Sequence, residues 1–234
     1  MPARRAGGTD TSGGSRRGGA TVTDTWSDRA EVYRTSRAHS EGADLDLLVE
    51  WSAGARTAID VATGGGHVAR RLREAGVQVV TVDPARGMQP DVVSRAEELP
   101  FEDHVFDVAV TRVAGHHFED VRAATRELAR VSADRVLVVD TLFQGEAGEE
   151  AEKLRDPSHV RNYSEEEWRS FLEGAGLAVE DIRTFEMPID FEEWLARTGC
   201  TGEDADRARD LLADRIDDGM LRMTRIALRA RVPR

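Results

Sequence analysis

Two aspartates and a run of glycines are the residues of this chain best placed to do chemistry together. Asp60 lies in a short apolar run (Thr57-Ala-Ile-Asp-Val61) that leads through Ala62 and Thr63 into Gly64-Gly65-Gly66. Asp83 closes a second apolar run, Val77 to Val82. Glycine lets a backbone approach a ligand closely, and an acid ending a second strand can bind both hydroxyls of a ribose. The combination describes a nucleotide-handling site. Further along, Gly115-His116-His117-Phe118 offers two imidazoles, and a neutral imidazole can accept a proton from a hydroxyl or an acidic carbon near neutral pH. A third polar concentration is Arg155 to Tyr163, in which His159 and Arg161 could meet an anionic or oxygen-rich acceptor. Tyr33, Ser36 and His39 recur every three residues and would share one helix face.

The spacing narrows the ligand. A dinucleotide site wants Gly-x-Gly-x-x-Gly so that a pyrophosphate can sit on the helix N-terminus. No glycine stands at the third position of that fingerprint here. A phosphate-cradling loop needs Gly-Lys-Ser/Thr, and the only lysine is Lys153. Asp60 would repel a phosphate and suits a cationic ligand.

These residues need an α/β scaffold to position them. The run ending at Val61, the glycine turn, the helical stretch Val68–Ala75 and the run ending at Asp83 read as strand, turn, helix, strand. Only eight residues, including Pro84, Gly87 and Pro90, separate Asp83 from the next apolar pair, Val92-Val93. A parallel crossover normally takes a dozen or more residues, so the helix between strands two and three is expected to be missing. Strand four (Phe106–Arg112), a helix from Asp120 to Val131 with Asp120 as N-cap, and strand five (Arg135–Thr141) follow. His116 and His117 fall just past strand four, where open parallel sheets carry their sites. Gln144 to Asn162 reads as a polar, irregular and mobile connection. Ser164 and Glu167 form a capping-box pattern. Leu177–Pro188 reads as a strand, Phe191–Thr198 and Gly202–Asp217 as helices, and Met220–Val232 as the last strand. Residues 1–24, locally basic at Arg4, Arg5, Arg16 and Arg17, lack the apolar residues needed to order themselves. Thr25 to Trp51 reads as helical, with Leu45, Leu47, Leu48 and Trp51 as its packing stripe.

Asp-Val-Ala-Thr-Gly-Gly-Gly-His (60–67) resembles motif I of the class I S-adenosylmethionine-dependent methyltransferases, closest to the ubiquinone/menaquinone-biosynthesis and related small-molecule branch. Arg95-Ala-Glu-Glu-Leu-Pro-Phe101, Phe106–Arg112, Gly115–Phe118, Glu127–Val131 and Arg135–Asp140 resemble further segments of that family, over roughly residues 26 to 190. The resemblance implies a Rossmann-like, seven-stranded, mostly parallel sheet with helices on both faces, here with the crossover between strands two and three shortened. It implies S-adenosylmethionine as cofactor, S-adenosylhomocysteine as product and in-line methyl transfer to a small molecule. Asp60 would anchor the cofactor's cationic amino-acid end. Ala62, Thr63, Gly64 and Gly66 would form the turn around it, and Asp83 with Pro84 would take the ribose. Arg95 and Ala96 would border the adenine, and Arg112 would contact cofactor or substrate. Ala62 replaces the family's usual first glycine, and Arg95 stands where an acid usually meets the adenine amino group. Either Arg95 stacks on the adenine or that contact is lost. His116 or His117 would be the catalytic base, His116 being favoured, unless both only position the loop. Residues 25–51, with Tyr33 and His39, would lie over the cofactor as a lid. Residues 144–163 would form a substrate-side insertion, and 25–234 a single domain.

Composition bounds the alternatives. The chain has 234 residues, enough for a sizeable core, and no apolar run long enough to span a membrane. A net charge of −12 weighs against a nucleic-acid substrate. One cysteine, Cys200, excludes an internal disulfide and a cysteine-rich zinc site, and no metal site is expected. The absence of an apolar N-terminal signal and the single thiol suit a reducing cytoplasm. Two other readings stay open: a cofactor-binding protein without transferase activity and an RNA methyltransferase.

Overall fold

The computed structural model describes residues 26–35 and 42–233. The basic tail and His39 lie outside the described residues, as does the side chain of Tyr33. The apolar runs become β1 (Thr57–Val61), β2 (Gln78–Asp83), β3 (Val92–Val93), β4 (Phe106–Arg112) and β5 (Ser132–Thr141). They pair in parallel, and β1, β4 and β5 are almost continuously buried, as strands covered on both faces must be. The antiparallel strands β6 (Ala178–Asp190) and β8 (Met220–Arg231) complete the path β3-β2-β1-β4-β5-β8-β6, with the two-residue β7 (Ile216–Asp217) beside β8.

Alternation within β1 sends Ala58 to one face of the sheet and Ile59 and Val61 to the other. On the first face lie α2 (Ala43–Trp51) and α3 (His67–Glu74), burying Leu45, Leu48, Trp51 and Leu72. On the second lie α4 (Val121–Val131) and α6 (Glu165–Gly174), burying Leu128, Trp168, Phe171 and Leu172. Both predicted N-caps form. Asp120 accepts from the Ala123 amide at 2.9 Å, and Ser164 and Glu167 bond reciprocally at 3.2 and 2.9 Å.

Two expectations need correction. Residues 144–162 are not an irregular connection: α5 (Glu146–Arg155) occupies most of them. Its Ala151 is buried with α7 (Phe191–Ala196) and α8 (Glu203–Leu211), so tertiary packing orders a sequence too acidic to reveal itself. The helix expected over 202–217 ends at Leu211, and Ile216–Asp217 pairs with Met220–Leu221 as a hairpin. Asp218 and Gly219, at φ 46° and 75°, supply the two positive-φ positions that a tight hairpin turn demands. The path of the sheet holds the seven strands expected, and β7 adds a two-residue partner to β8. The N-terminal region expected to be helical contains α1 (Ala30–Thr35) and α2, and Gly42, at φ 136°, precedes α2.

The shortened crossover is present, reduced to a single 3-10 turn at Arg86–Met88. The N-terminal segment packs where a crossover helix is missing. Trp26 and Ala30 meet Ala85 and Met88, the Gly87 amide donates to Ser27 Oγ at 3.2 Å, and Arg34 donates to the Gly87 carbonyl at 3.2 Å.

Ala62 sits at φ 57°, a left-handed conformation unfavourable for a residue with a Cβ. Relief of that strain outweighs the extra chain entropy of glycine. Ala62→Gly should therefore stabilise the unliganded protein by roughly 0.5–1 kcal/mol, read as a rise in the midpoint of urea unfolding with an unchanged slope.

Candidate active site

Strand order reverses between β1 and β4, and that switch point opens a crevice at the strands' carboxyl ends. A cavity of about 460 Å³ lies there. Of the residues singled out by sequence, Asp60, Ala62, Thr63, Gly64, Asp83, Pro84, Arg95, Ala96, Arg112, His117 and His159 line it. Gly66 is not on its wall but opens α3 at φ 74°, as the turn requires.

Asp60 is buried beneath the glycine turn. Its Oδ2 accepts from Thr63 Oγ1 at 2.6 Å and from the Ala69 amide at 3.1 Å. Burial pushes its pKa up to about 6, against these two hydrogen bonds, and nearby Asp83 adds to the rise. Asp83 turns one oxygen to the Gly64 amide and the other to the Ala85 amide, both at 2.9 Å. Burial raises its pKa too. Both oxygens keep a lone pair, so the carboxylate is held in one orientation with acceptor capacity to spare. Two buried acids, their pKa values raised by burial, beside open space left by glycines, suit this end of the cavity to a cation.

Arg112 lines the cavity from the end of β4 and is anchored from behind. Its Nε and Nη2 donate to Asp44 of α2 at 2.8 and 3.3 Å, and Arg225 of β8 donates to the same carboxylate at 3.0 Å. Burial alone would raise the Asp44 pKa, yet the two guanidiniums hold it below the usual carboxylate range. Arg95 is half exposed at the rim and pairs with Glu97 at 3.4 Å and Glu119 at 3.1 Å.

At the other end of the cavity the two adjacent histidines differ. His117 is on the wall, its Nδ1 3.0 Å from the Ser158 carbonyl. Burial, and then neighbouring His116, push its pKa down to about 3. His116, the one favoured by sequence, is not among the lining residues. Its Nδ1 lies 2.5 Å from Asp140 Oδ1, and its amide donates to Asp140 Oδ2 at 2.9 Å. Burial pulls its pKa down, but the charge and hydrogen bond of Asp140 leave it raised. His159 reaches the cavity wall, with its Nε2 3.1 Å from Glu149 of α5. Arg161 is not part of the site. It pairs with Glu167 at 2.9 Å and sits over Phe143 and Tyr163, because the α6 N-terminal acid competes for it.

Sequence reasoning missed Asp44, Asp140, Ser158 and Trp26. Asp140 had a signal, an acid ending an apolar run like Asp83. Trp26 also lines the cavity, edge-on to His117 with ring centres 5.5 Å apart and its Nε1 donating to Ser158 Oγ at 3.2 Å.

The chain matches the family model described as a methyltransferase domain over residues 59–139. It is 33% identical over 211 residues to the uncharacterized methyltransferase YcgJ of Bacillus subtilis, covering 80% of this chain and 82% of that protein. The crystal structure of YcgJ superposes with a TM-score of 0.72 over 82% of this chain and 98% of that one. A candidate methyltransferase from Bacillus halodurans, 30% identical, superposes with a TM-score of 0.73 over 82% of this chain and all of its own.

Proposed function

The chain belongs to the class I S-adenosylmethionine-dependent methyltransferases, and on that premise we propose that it methylates a small-molecule acceptor by in-line displacement. The observation carrying this reading is a single cavity with two buried carboxylates at the glycine-turn end and His117 under Trp26 at the other. The residues fit the cofactor: a sulfonium and an ammonium group suit walls whose acids have raised pKa values. When bound, S-adenosylmethionine supplies an electrophilic methyl group on a cationic sulfur. Asp60 and the open turn at Gly64 would hold its amino-acid end, Asp83 the ribose, and Pro84, Ala96 and Met88 the adenine. Arg95, tied to Glu97 and Glu119, would border that ring at the rim. Alignment of donor and acceptor alone is worth an effective concentration on the order of 10⁵ M or more. The wall does this positioning, with Trp26 and the loop 156–160 excluding water.

Within this reading residues 25–234 act as one domain in a reducing cytoplasm, with 26–35 as a lid and 144–163 as the acceptor-side wall. Calorimetry with S-adenosylmethionine, then transfer of a labelled methyl group to a panel of phenols, quinols and amines, tests it. Asp83→Ala should weaken cofactor binding by more than tenfold, from loss of charge-assisted hydrogen bonds of roughly 1.5–3 kcal/mol each. Unchanged affinity would remove the ribose assignment. Cofactor binding with no turnover on any acceptor would favour a binding protein instead.

The lid makes a separate prediction. A Cβ on Gly87 would lie 2.5 Å from the Ser27 carbonyl oxygen and 2.6 Å from its Cα. Gly87→Ala should therefore push the segment off the crossover and weaken cofactor binding about tenfold, or 1.4 kcal/mol. Limited proteolysis should show faster cutting near Trp26, and equal cutting rates would count against the lid.

A further inference from the structure

The hydrogen bonds around residue 158 fix the state of the cavity-facing imidazole, and through it the kind of acceptor the site admits. Ser158 Oγ donates to Asp156 Oδ1 at 2.7 Å, so its one hydroxyl proton is committed. The same oxygen then accepts from Trp26 Nε1 and lies 3.2 Å from His117 Nδ1, while the Ser158 carbonyl lies 3.0 Å from that nitrogen. Two acceptors converge on Nδ1, so Nδ1 must carry the proton. Nε2, which has no hydrogen-bond partner among the described residues, is left as a bare lone pair on a ring that lines the cavity. The walls carry four carboxylates, Asp60, Asp83, Glu97 and Glu119, against two guanidiniums. Both guanidiniums already face carboxylates, and Arg161 is turned away.

Resting on the methyl-transfer reading above, we propose that the acceptor is an uncharged molecule that donates an O–H or N–H hydrogen bond to His117 Nε2, and that His117, held by Ser158 and Asp156, is the specificity-determining residue. An anionic acceptor would meet acidic walls whose guanidiniums are already paired, with only the cofactor's own sulfonium to face it, and an acceptor lacking a donor would leave Nε2 desolvated and unpaired. In the transfer, a lone pair of the acceptor oxygen or nitrogen forms the bond to the methyl carbon. The carbon–sulfur bond breaks with its electron pair kept by sulfur, which becomes neutral. The newly methylated atom is now cationic and its proton is far more acidic than before. That proton passes to Nε2 and on to water, so a weakly basic imidazole suffices.

Two measurements test this independently of each other. Nitrogen-15 spectra of the histidine rings, assigned with His117→Phe, should show His117 neutral with the proton on Nδ1 from pH 5 to 8. A charged ring or the opposite tautomer in that range overturns the proposal, whatever the acceptor is. The second arm compares labelled-methyl transfer to three groups of small acceptors: uncharged alcohols, phenols and aromatic primary amines; carboxylates and phosphates; and thioethers and N,N-dialkylanilines. Turnover confined to the first group is expected, with kcat/KM reduced at least tenfold in His117→Phe and cofactor affinity kept. Comparable turnover of either other group overturns the proposal while leaving methyl transfer intact. Failure to bind S-adenosylmethionine at all would instead remove the underlying reading.

Discussion

Replacing Asp60 with asparagine should make the unliganded protein more stable at neutral pH and nearly unable to hold its cofactor. Asp60 has its pKa raised from 3.8 to about 6 by burial. A carboxyl group whose pKa is raised on folding destabilises the fold once ionised. The penalty is absent below the unfolded value, grows between about pH 4 and 6, and is fully present above. At about 1.4 kcal/mol per unit, the ionised group costs roughly 3 kcal/mol at pH 7. Asparagine keeps an oxygen for Thr63 and the Ala69 amide while removing the buried charge. The melting temperature should rise by several degrees at pH 7.5 and by little at pH 4. Titration should show cofactor affinity down about 100-fold, because a cationic ligand loses its counter-charge. In the parent protein the same logic makes cofactor affinity fall as pH drops through 6, up to tenfold per unit for one proton. Equal stability of the two proteins at pH 7.5, or pH-independent binding between 5 and 7, would overturn the assignment.

Asp44→Ala should have the largest structural effect of any single polar substitution considered. One fully buried carboxylate is shared by Arg112 on β4 and Arg225 on β8. Removing one partner of a buried ion pair commonly costs about 3–5 kcal/mol, mostly from charge left without its counter-ion. Because the guanidiniums hold the Asp44 pKa down, this stabilisation is present above the unfolded value of 3.8 and disappears as pH falls through the folded value. Denaturant unfolding at pH 7 should show the loss, and the gap between variant and parent should narrow in acid. Arg112 also lines the cavity, so cofactor affinity should fall with stability. A variant as stable as the parent would mean that other contacts of the two arginines carry the load.

The local chemistry of this protein was written in short stretches of sequence. Asp60, the glycine turn and Asp83 could be read as a nucleotide site because strand, tight turn and strand-end acid are set by local backbone rules. The caps at Asp120 and Ser164 and the missing crossover helix follow from residue type and chain length in the same way. The Asp218-Gly219 hairpin was not read, because a helix was expected to run to Asp217. Other features depend on residues far apart in the chain. Asp44 looks like any acid in the first turn of a helix until Arg112 and Arg225 arrive from two strands. Helix α5 is too acidic to declare an apolar face and is ordered by α7 and α8. The surroundings of His116 and His117 separate only in three dimensions, since Asp140 captures one ring while the other, bonded at Ser158, lies on the cavity wall. Sequence fixes which groups can ionise or bond, because that is a property of each side chain. Burial and partners, which set pKa, tautomer and access, come from distant segments and exist only once the chain has folded.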